Sequence, residues 1–152
     1  MRKKNYVFTN VYHIDKKAEE VWGRVVDVES WPSIWKYFRY VAIEGDEETL
    51  KAGSVIHCRV RAAMFYKLDF MVIVKEIVPC TKLTVICSGD LEGEGIWLLN
   101  SGGGSVESRF EWNVTTDNMF LKFIEMLPFG RRVLQFNHKL VMEEGYRSFL
   151  ME

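Results

Sequence analysis

The chain changes its hydrophobic period once, and that change restricts its fold more than any other feature. From Tyr40 to Thr116 strand signals follow one another almost without a break, and from about Asn118 to the end apolar residues recur at helical spacing. One long helix beside that much sheet must lie lengthwise across it, because neither partner has anything else against which to bury its apolar side. The stripe this helix turns to the sheet changes along its length. Met119, Phe120, Phe123, Ile124 and Leu127 come first; beyond Pro128 the stripe reads Leu134, Asn137, His138, Val141, Gly145 and Ser148. Arg131, Arg132, Lys139, Glu143 and Arg147 gather on the other side. A sheet-facing stripe that mixes apolar, small and polar groups suits a lined cavity better than a solid core.

Three runs give the sheet its alternation. Ile56, Cys58 and Val60 alternate with His57, Arg59 and Arg61, and Leu68, Phe70, Val72 and Val74 with Lys67, Asp69 and Lys75. Val106, Ser108, Phe110, Trp112 and Val114 alternate with Glu107, Arg109, Glu111 and Asn113. Period-two patterns of this kind predict antiparallel strands with one covered and one wet face. Turn chemistry separates the runs at Gly45-Asp46-Glu47, Ala52-Gly53, Val78-Pro79-Cys80, Gly89-Asp90 and Asn100 to Gly104.

Ahead of them a first strand covers roughly Tyr6 to Ile14, with Tyr6, Phe8, Tyr12 and Ile14 on one face and Asn10 between them. Asp15 can cap a short helix whose narrow buried side is Ala18, Val21, Trp22 and Val25. Ser30 precedes a second short helix with Trp31, Ile34, Trp35 and Phe38 as its apolar groups and Pro32 in its first turn. These two helices are too small to form a core alone, so they close one end of the sheet. The expected fold class is α+β: one strand, two short helices after strand 1, about six more antiparallel strands and a long C-terminal helix. Residues 1–152 read as one domain, without a repeat or linker.

Composition bounds the function. The formal charge of −1 offers no basic surplus for neutralising phosphates, so no nucleic-acid partner is expected. Arg2, Lys3 and Lys4 are followed by an alternating strand pattern instead of an apolar targeting core, and no apolar run is long enough for an integral membrane segment. The odd number of cysteines, Cys58, Cys80 and Cys87, reads as reduced buried thiols in a cytoplasmic protein. No cofactor and no metal site is expected. Gly102-Gly103-Gly104 lacks the Lys of a phosphate loop and reads as a hairpin turn, while Asp90, Glu92 and Glu94 read as solvated loop carboxylates. His13 and His57 read as surface residues.

Candidate ligand contacts come from the faces assigned inward. Asn10 and Tyr12 come from the first strand, Trp35 and Phe38 from one end, and Phe70, Phe110 and Trp112 from the sheet. Phe123, Leu127, Leu134, Asn137, His138 and Val141 come from the long helix. His138 has two readings: a satisfied core or rim histidine, or a polar group aimed into the cavity that hydrogen-bonds a guest or moves a proton. It is the one inward group nominated here with a pKa near neutrality, and hence the one catalytic candidate.

Val21-Trp22 followed by Val26-Asp27-Val28-Glu29-Ser30-Trp31-Pro32 resembles the opening signature of the helix-grip (START/SRPBCC) superfamily. That superfamily includes START-type lipid carriers, birch-pollen-allergen-like proteins and polyketide cyclase/dehydrases. The stretch from Gly89 to Trp97, with Gly102 to Ser105 and a long strand after it, resembles the last group most closely. The resemblance spans nearly the whole chain and implies the helix-grip fold, a curved antiparallel sheet of about seven strands wrapped around the long C-terminal helix, with residues 1–152 as a single ligand-binding domain whose cavity lies between sheet and helix. It leaves two functions open: binding of a small hydrophobic molecule (a lipid, isoprenoid or polyketide) as a carrier or sequestering protein, or a cyclase/dehydratase-type enzyme using the same cavity. A protein-interaction module built on the outer sheet face is a third reading, weakened by the charge on that face. Oligomeric state is not legible in the sequence.

Overall fold

The computed structural model describes residues 5–34, 38–45, 49–61, 67–116 and 128. Its elements, in chain order, are β1 (Asn5–Ile14), α1 (Ala18–Val26), a 3-10 turn (Val28–Ser30), α2 (Trp31–Ile34) and β2 (Phe38–Ile43). Then follow β3 (Val55–Arg61), β4 (Lys67–Val78), β5 (Lys82–Gly89), β6 (Leu91–Gly102) and β7 (Ser105–Thr116). The long C-terminal helix expected from Asn118 onward lies outside the described residues.

All seven strands join one antiparallel sheet in the order β1-β7-β6-β5-β4-β3-β2. β2 to β7 form a continuous meander, and β1 returns to pair with β7 over its whole length, from Asn5 opposite Thr115 to Ile14 opposite Val106. The alternation read from the sequence is the alternation of burial. Ile56, Cys58 and Val60 on β3 are buried, as are Leu68, Phe70, Val72 and Val74 on β4, while Arg59, Arg61, Lys67 and Asp69 are exposed. On β1, Ile14 is buried and Phe8, Asn10 and Tyr12 are partly covered, whereas Val7 and Val11 on the opposite face are exposed. β6 and β7 are joined by Gly103 and Gly104 with φ of 62° and 84°, the pair of positive values that a two-residue hairpin matched to strand twist requires.

The short helices carry Val21, Val25 and Val28 into the same core as the inward residues of β2 to β7. α1 packs on β6 and β7, and the 3-10 turn and α2 pack on β2, so this segment bridges one end of the sheet. Three local expectations are corrected. Asp15 does not cap α1: the cap position falls on Lys17, which is extended and makes no side-chain cap bond. Phe38 is not helical; it opens β2, and the contact that helical spacing suggested is made across the connection, with the Phe38 ring edge-on to Trp31 at 5.3 Å. Glu92 and Glu94 are exposed as expected but belong to strand β6, not to a loop. The outer face is also less uniformly charged than its sequence suggested, since Met71, Ile73 and Ile86 are 37%, 37% and 41% exposed and Ile73 lies directly opposite Ile86.

Candidate functional site

The inward face carries a continuous row of aromatic rings drawn from five elements. Phe38 (β2) meets Trp31 (α2), and Trp31 lies 6.1 Å from Trp97 (β6) between ring centroids. Trp97 meets Phe110 (β7) edge-on at 5.3 Å. Phe110 stacks on Trp112 at 5.4 Å with 28° between planes, and Trp112 meets Phe70 (β4) edge-on at 6.3 Å. Offset-stacked and edge-to-face pairs are the arrangements that ring quadrupoles favour, each contributing about 0.5–1.5 kcal/mol beyond its buried area. Phe70 is buried; the other five rings are only partly so.

The last contact reports the curvature of the sheet. β4 and β7 are separated by β5 and β6. Three steps of about 4.8 Å would hold them about 14 Å apart in a flat sheet. Rings 6.3 Å apart must therefore lean toward each other over a concave surface. Gly95, which pairs with Trp112 across β6–β7, is where the indole leans: a Cβ there would lie 2.8 Å from Trp112 Cε3. No side chain fits between strand and ring at that point.

Two indoles are fixed in orientation. Trp97 Nε1–H donates to Ser108 Oγ at 2.7 Å, and Trp31 Nε1–H donates to the Arg24 carbonyl at 3.2 Å, tying α2 to α1. Ser108 is 4% exposed and is a built-in polar point on an otherwise apolar face. Beside it, β1 sets Tyr12 opposite Ser108 and Asn10 opposite Phe110. The row thus has an apolar body and one polar margin.

The inward thiols are inert. Burial pushes Cys58 up to about 12 and Cys87 up to about 12, the latter helped by Cys58, so both are neutral at neutral pH and poor nucleophiles. Cys80, expected to be buried with them, is instead half-buried at the β4–β5 turn with φ of 60°. His13 is exposed, and His57 faces outward 3.7 Å from Glu44. Among the described residues no three His, Cys, Asp or Glu side chains are grouped to hold a metal ion.

Of the site residues named from the sequence, Asn10, Tyr12, Phe38, Phe70, Phe110 and Trp112 are described. Phe70, Phe110 and Trp112 touch one another in series, Asn10 is opposite Phe110, and Phe38 joins the row through Trp31. Trp35, Phe123, Leu127, Leu134, Asn137, His138 and Val141 lie outside the described residues. Trp31, Trp97 and Ser108 were not nominated as ligand contacts. The signal for Trp97 was present: Leu91, Gly93, Gly95, Trp97 and Leu99 share one parity, opposite Glu92 and Glu94.

No protein-family model matches the chain, and no curated protein matches it by sequence. Solved structures do match. TTHA0849 from Thermus thermophilus superposes with a TM-score of 0.74 at 16% identity, covering 95% of this chain and 94% of that one. A START superfamily protein from Mycobacterium smegmatis gives 0.69 at 13% identity, covering 93% and 92%. The di-domain ARO/CYC StfQ from the steffimycin biosynthetic pathway gives 0.70 at 12% identity, with 95% of this chain covering 50% of that one. Among the described residues no helix is long and apolar enough to cross a membrane. With its curled seven-stranded antiparallel sheet, and with these structural neighbours, the chain has the helix-grip α+β fold.

Proposed function

We propose that the concave face binds a small hydrophobic molecule with a flat or flexible apolar body (a lipid, isoprenoid or polyketide-like compound) and that the chain serves as its carrier or sequestering protein. The observation that carries this reading is the aromatic row from Phe38 to Phe70, partly exposed over most of its length and bordered by Asn10, Tyr12 and Ser108. Phe38 and Phe110 in this row stay partly exposed although phenylalanine, like valine, is ordinarily buried in a core, where Val74, Val106 and Val25 are each 1% exposed. On the sequence reading, Leu134, Asn137, His138 and Val141 supply the facing wall.

The enzymatic alternative, a cyclase/dehydratase, is favoured by the fold shared with two di-domain ARO/CYC chains, StfQ and BexL. Against it stands the chemistry of the inward face. Among the described residues its thiols are held neutral, and both histidines lie outside it. Proton transfer would fall to His138, and the carrier reading needs no such group.

Native mass spectrometry of the purified protein tests the proposal, with a co-purified apolar molecule as the expected result. A guest at a hundredfold excess over its Kd adds about 2.7 kcal/mol to stability. For a chain of this size that raises Tm by roughly 5–11 °C. Absence of a shift with fatty acids, isoprenoids and aromatic polyketides alike would remove both readings. Once a guest is known, His138→Ala separates them: about two- to twelvefold weaker binding for a carrier, against a turnover loss of about 10²–10⁴ for an enzyme.

A further inference from the structure

We infer that the outer face of the sheet is a self-association surface that takes a second copy of this chain. The face has an apolar middle. Ile73 on β4 and Ile86 on β5 lie directly opposite each other and are 37% and 41% exposed, and Val55 on β3 lies opposite Ile73 on its other side. Met71, two residues along β4 and so on the same face, is 37% exposed. These side chains come from three adjacent strands.

Charge of opposite sign lies on either side of this middle. β3 and β4 present Arg59, Arg61, Lys67 and Lys75, all exposed. β6 and β7 present Glu92 and Glu94, exposed, and Glu107 and Glu111, partly so. Ion pairs within each half do not change its sign. Asp69 holds Arg59 at 2.8 Å and Glu76 holds Lys82 at 3.4 Å, which leaves Arg61, Lys67 and Lys75 in excess. Glu111 holds Arg109 at 2.9 Å, which leaves the acidic half its other glutamates. The strand order puts β5 between the two halves.

This layout selects the partner. A uniformly acidic or basic macromolecule, or an anionic membrane, would be drawn to one half and repelled by the other. A second copy meets both. A two-fold axis lying in the interface near Ile86 sets the β3–β4 half of each copy over the β6–β7 half of the other and brings the two apolar middles together. Sheets packed face to face keep their strands within about 30° and stand about 10 Å apart, with side chains interdigitating between them. The opposed fields also suppress other registers, because turning one copy sets like charge on like. A net charge of −1 leaves little overall repulsion between copies.

The test is sedimentation velocity across a concentration series, on the protein alone at low salt. The wild type should show a monomer–dimer equilibrium. Ile73→Thr/Ile86→Thr, which keeps β-branched residues in both strands, should weaken association at least about tenfold with an unchanged circular dichroism spectrum. Arg61→Glu/Lys67→Glu turns both halves acidic, and Glu92→Lys/Glu94→Lys turns both basic. Each of these should be monomeric alone, and an equimolar mixture should form the heterodimer, which also shows that both variants fold. A wild type that stays monomeric at millimolar concentration, or a dimer that all three variants retain, would overturn the inference. So would charge variants that keep the wild-type spectrum yet fail to pair when mixed. None of these residues lies on the concave face, so any thermal shift given by an apolar guest should persist in every variant.

Discussion

Gly95→Ala sets two effects of known size against each other. Alanine is better than glycine in a strand interior by about 0.5–1 kcal/mol, so the substitution should stabilise β6 if nothing lies above it. Here something does. The new Cβ would sit 2.8 Å from Trp112 Cε3, 2.9 Å from Cζ3 and 3.2 Å from Val85 Cγ2. Carbon atoms pack at about 3.5–4.0 Å, so the indole must retreat by roughly 0.7–1 Å. It has little room, being stacked on Phe110 and edge-on to Phe70. Overpacking of this kind costs about 1–3 kcal/mol, which exceeds the propensity gain and leaves a net loss of about 1 kcal/mol. Thermal unfolding should show Tm lower by about 2–4 °C, with an altered near-ultraviolet circular dichroism spectrum as the stack shifts. In a Trp112→Leu background the clashing ring atoms are gone, and the same substitution should become neutral or stabilising. Equal effects in both backgrounds, or a rise in Tm in the wild type, would refute the placement of the indole over Gly95.

Trp97→Phe removes the donor to Ser108 Oγ while keeping a ring, and should cost about 1–3 kcal/mol in urea unfolding. Lys17→Asp supplies the acceptor that the extended cap residue of α1 lacks and should stabilise by about 0.5–2 kcal/mol in the same assay. Thiol titration of the native protein near pH 8 should find Cys80 reacting and Cys58 and Cys87 protected until denaturation. Those two thiols are raised from 9.0 to about 12 in the folded state, so the unfolded chain releases protons first. Their contribution to stability should be intact below pH 9 and decline as pH rises toward 12, read as a falling urea midpoint.

Sheet and site were legible in the sequence to different degrees. Where one face is wet and the other buried, period two is written into the residues, and β3, β4 and β7 declare which side chains point inward. The same rule located Phe70, Phe110 and Trp112, whose contacts depend only on parity and on the curl of the sheet. Phe38 misled because Trp31, Ile34, Trp35 and Phe38 have helical spacing, while a four-residue helix followed by a strand brings the Phe38 ring to Trp31 equally well. Asp15 misled because a capping residue type is common just after a strand, yet the helix begins at Ala18 and its cap position falls on Lys17. Trp97 was passed over because glycines on its own face, Gly93 and Gly95, made a strand look like a turn. Gly95 lacks a side chain because the Trp112 ring from β7 lies over it, and Gly93, with φ of 151°, because a Cβ there would meet the backbone of Asn113 and Val114; both are long-range causes that no local pattern carries.

The central claim is that the row of rings from Phe38 to Phe70 accepts an apolar guest, and a titration with 1-anilinonaphthalene-8-sulfonate tests it most directly. Excited at tryptophan, the native protein should show saturable one-to-one energy transfer to the probe, because Trp97 and Trp112 lie in the row itself. Phe110→Ala, which removes the ring touching both tryptophans, should weaken binding about two- to twelvefold, the worth of one aromatic contact. Saturable binding that weakens in this variant is the predicted result; absence of saturable transfer, or equal affinity in both proteins, would contradict it.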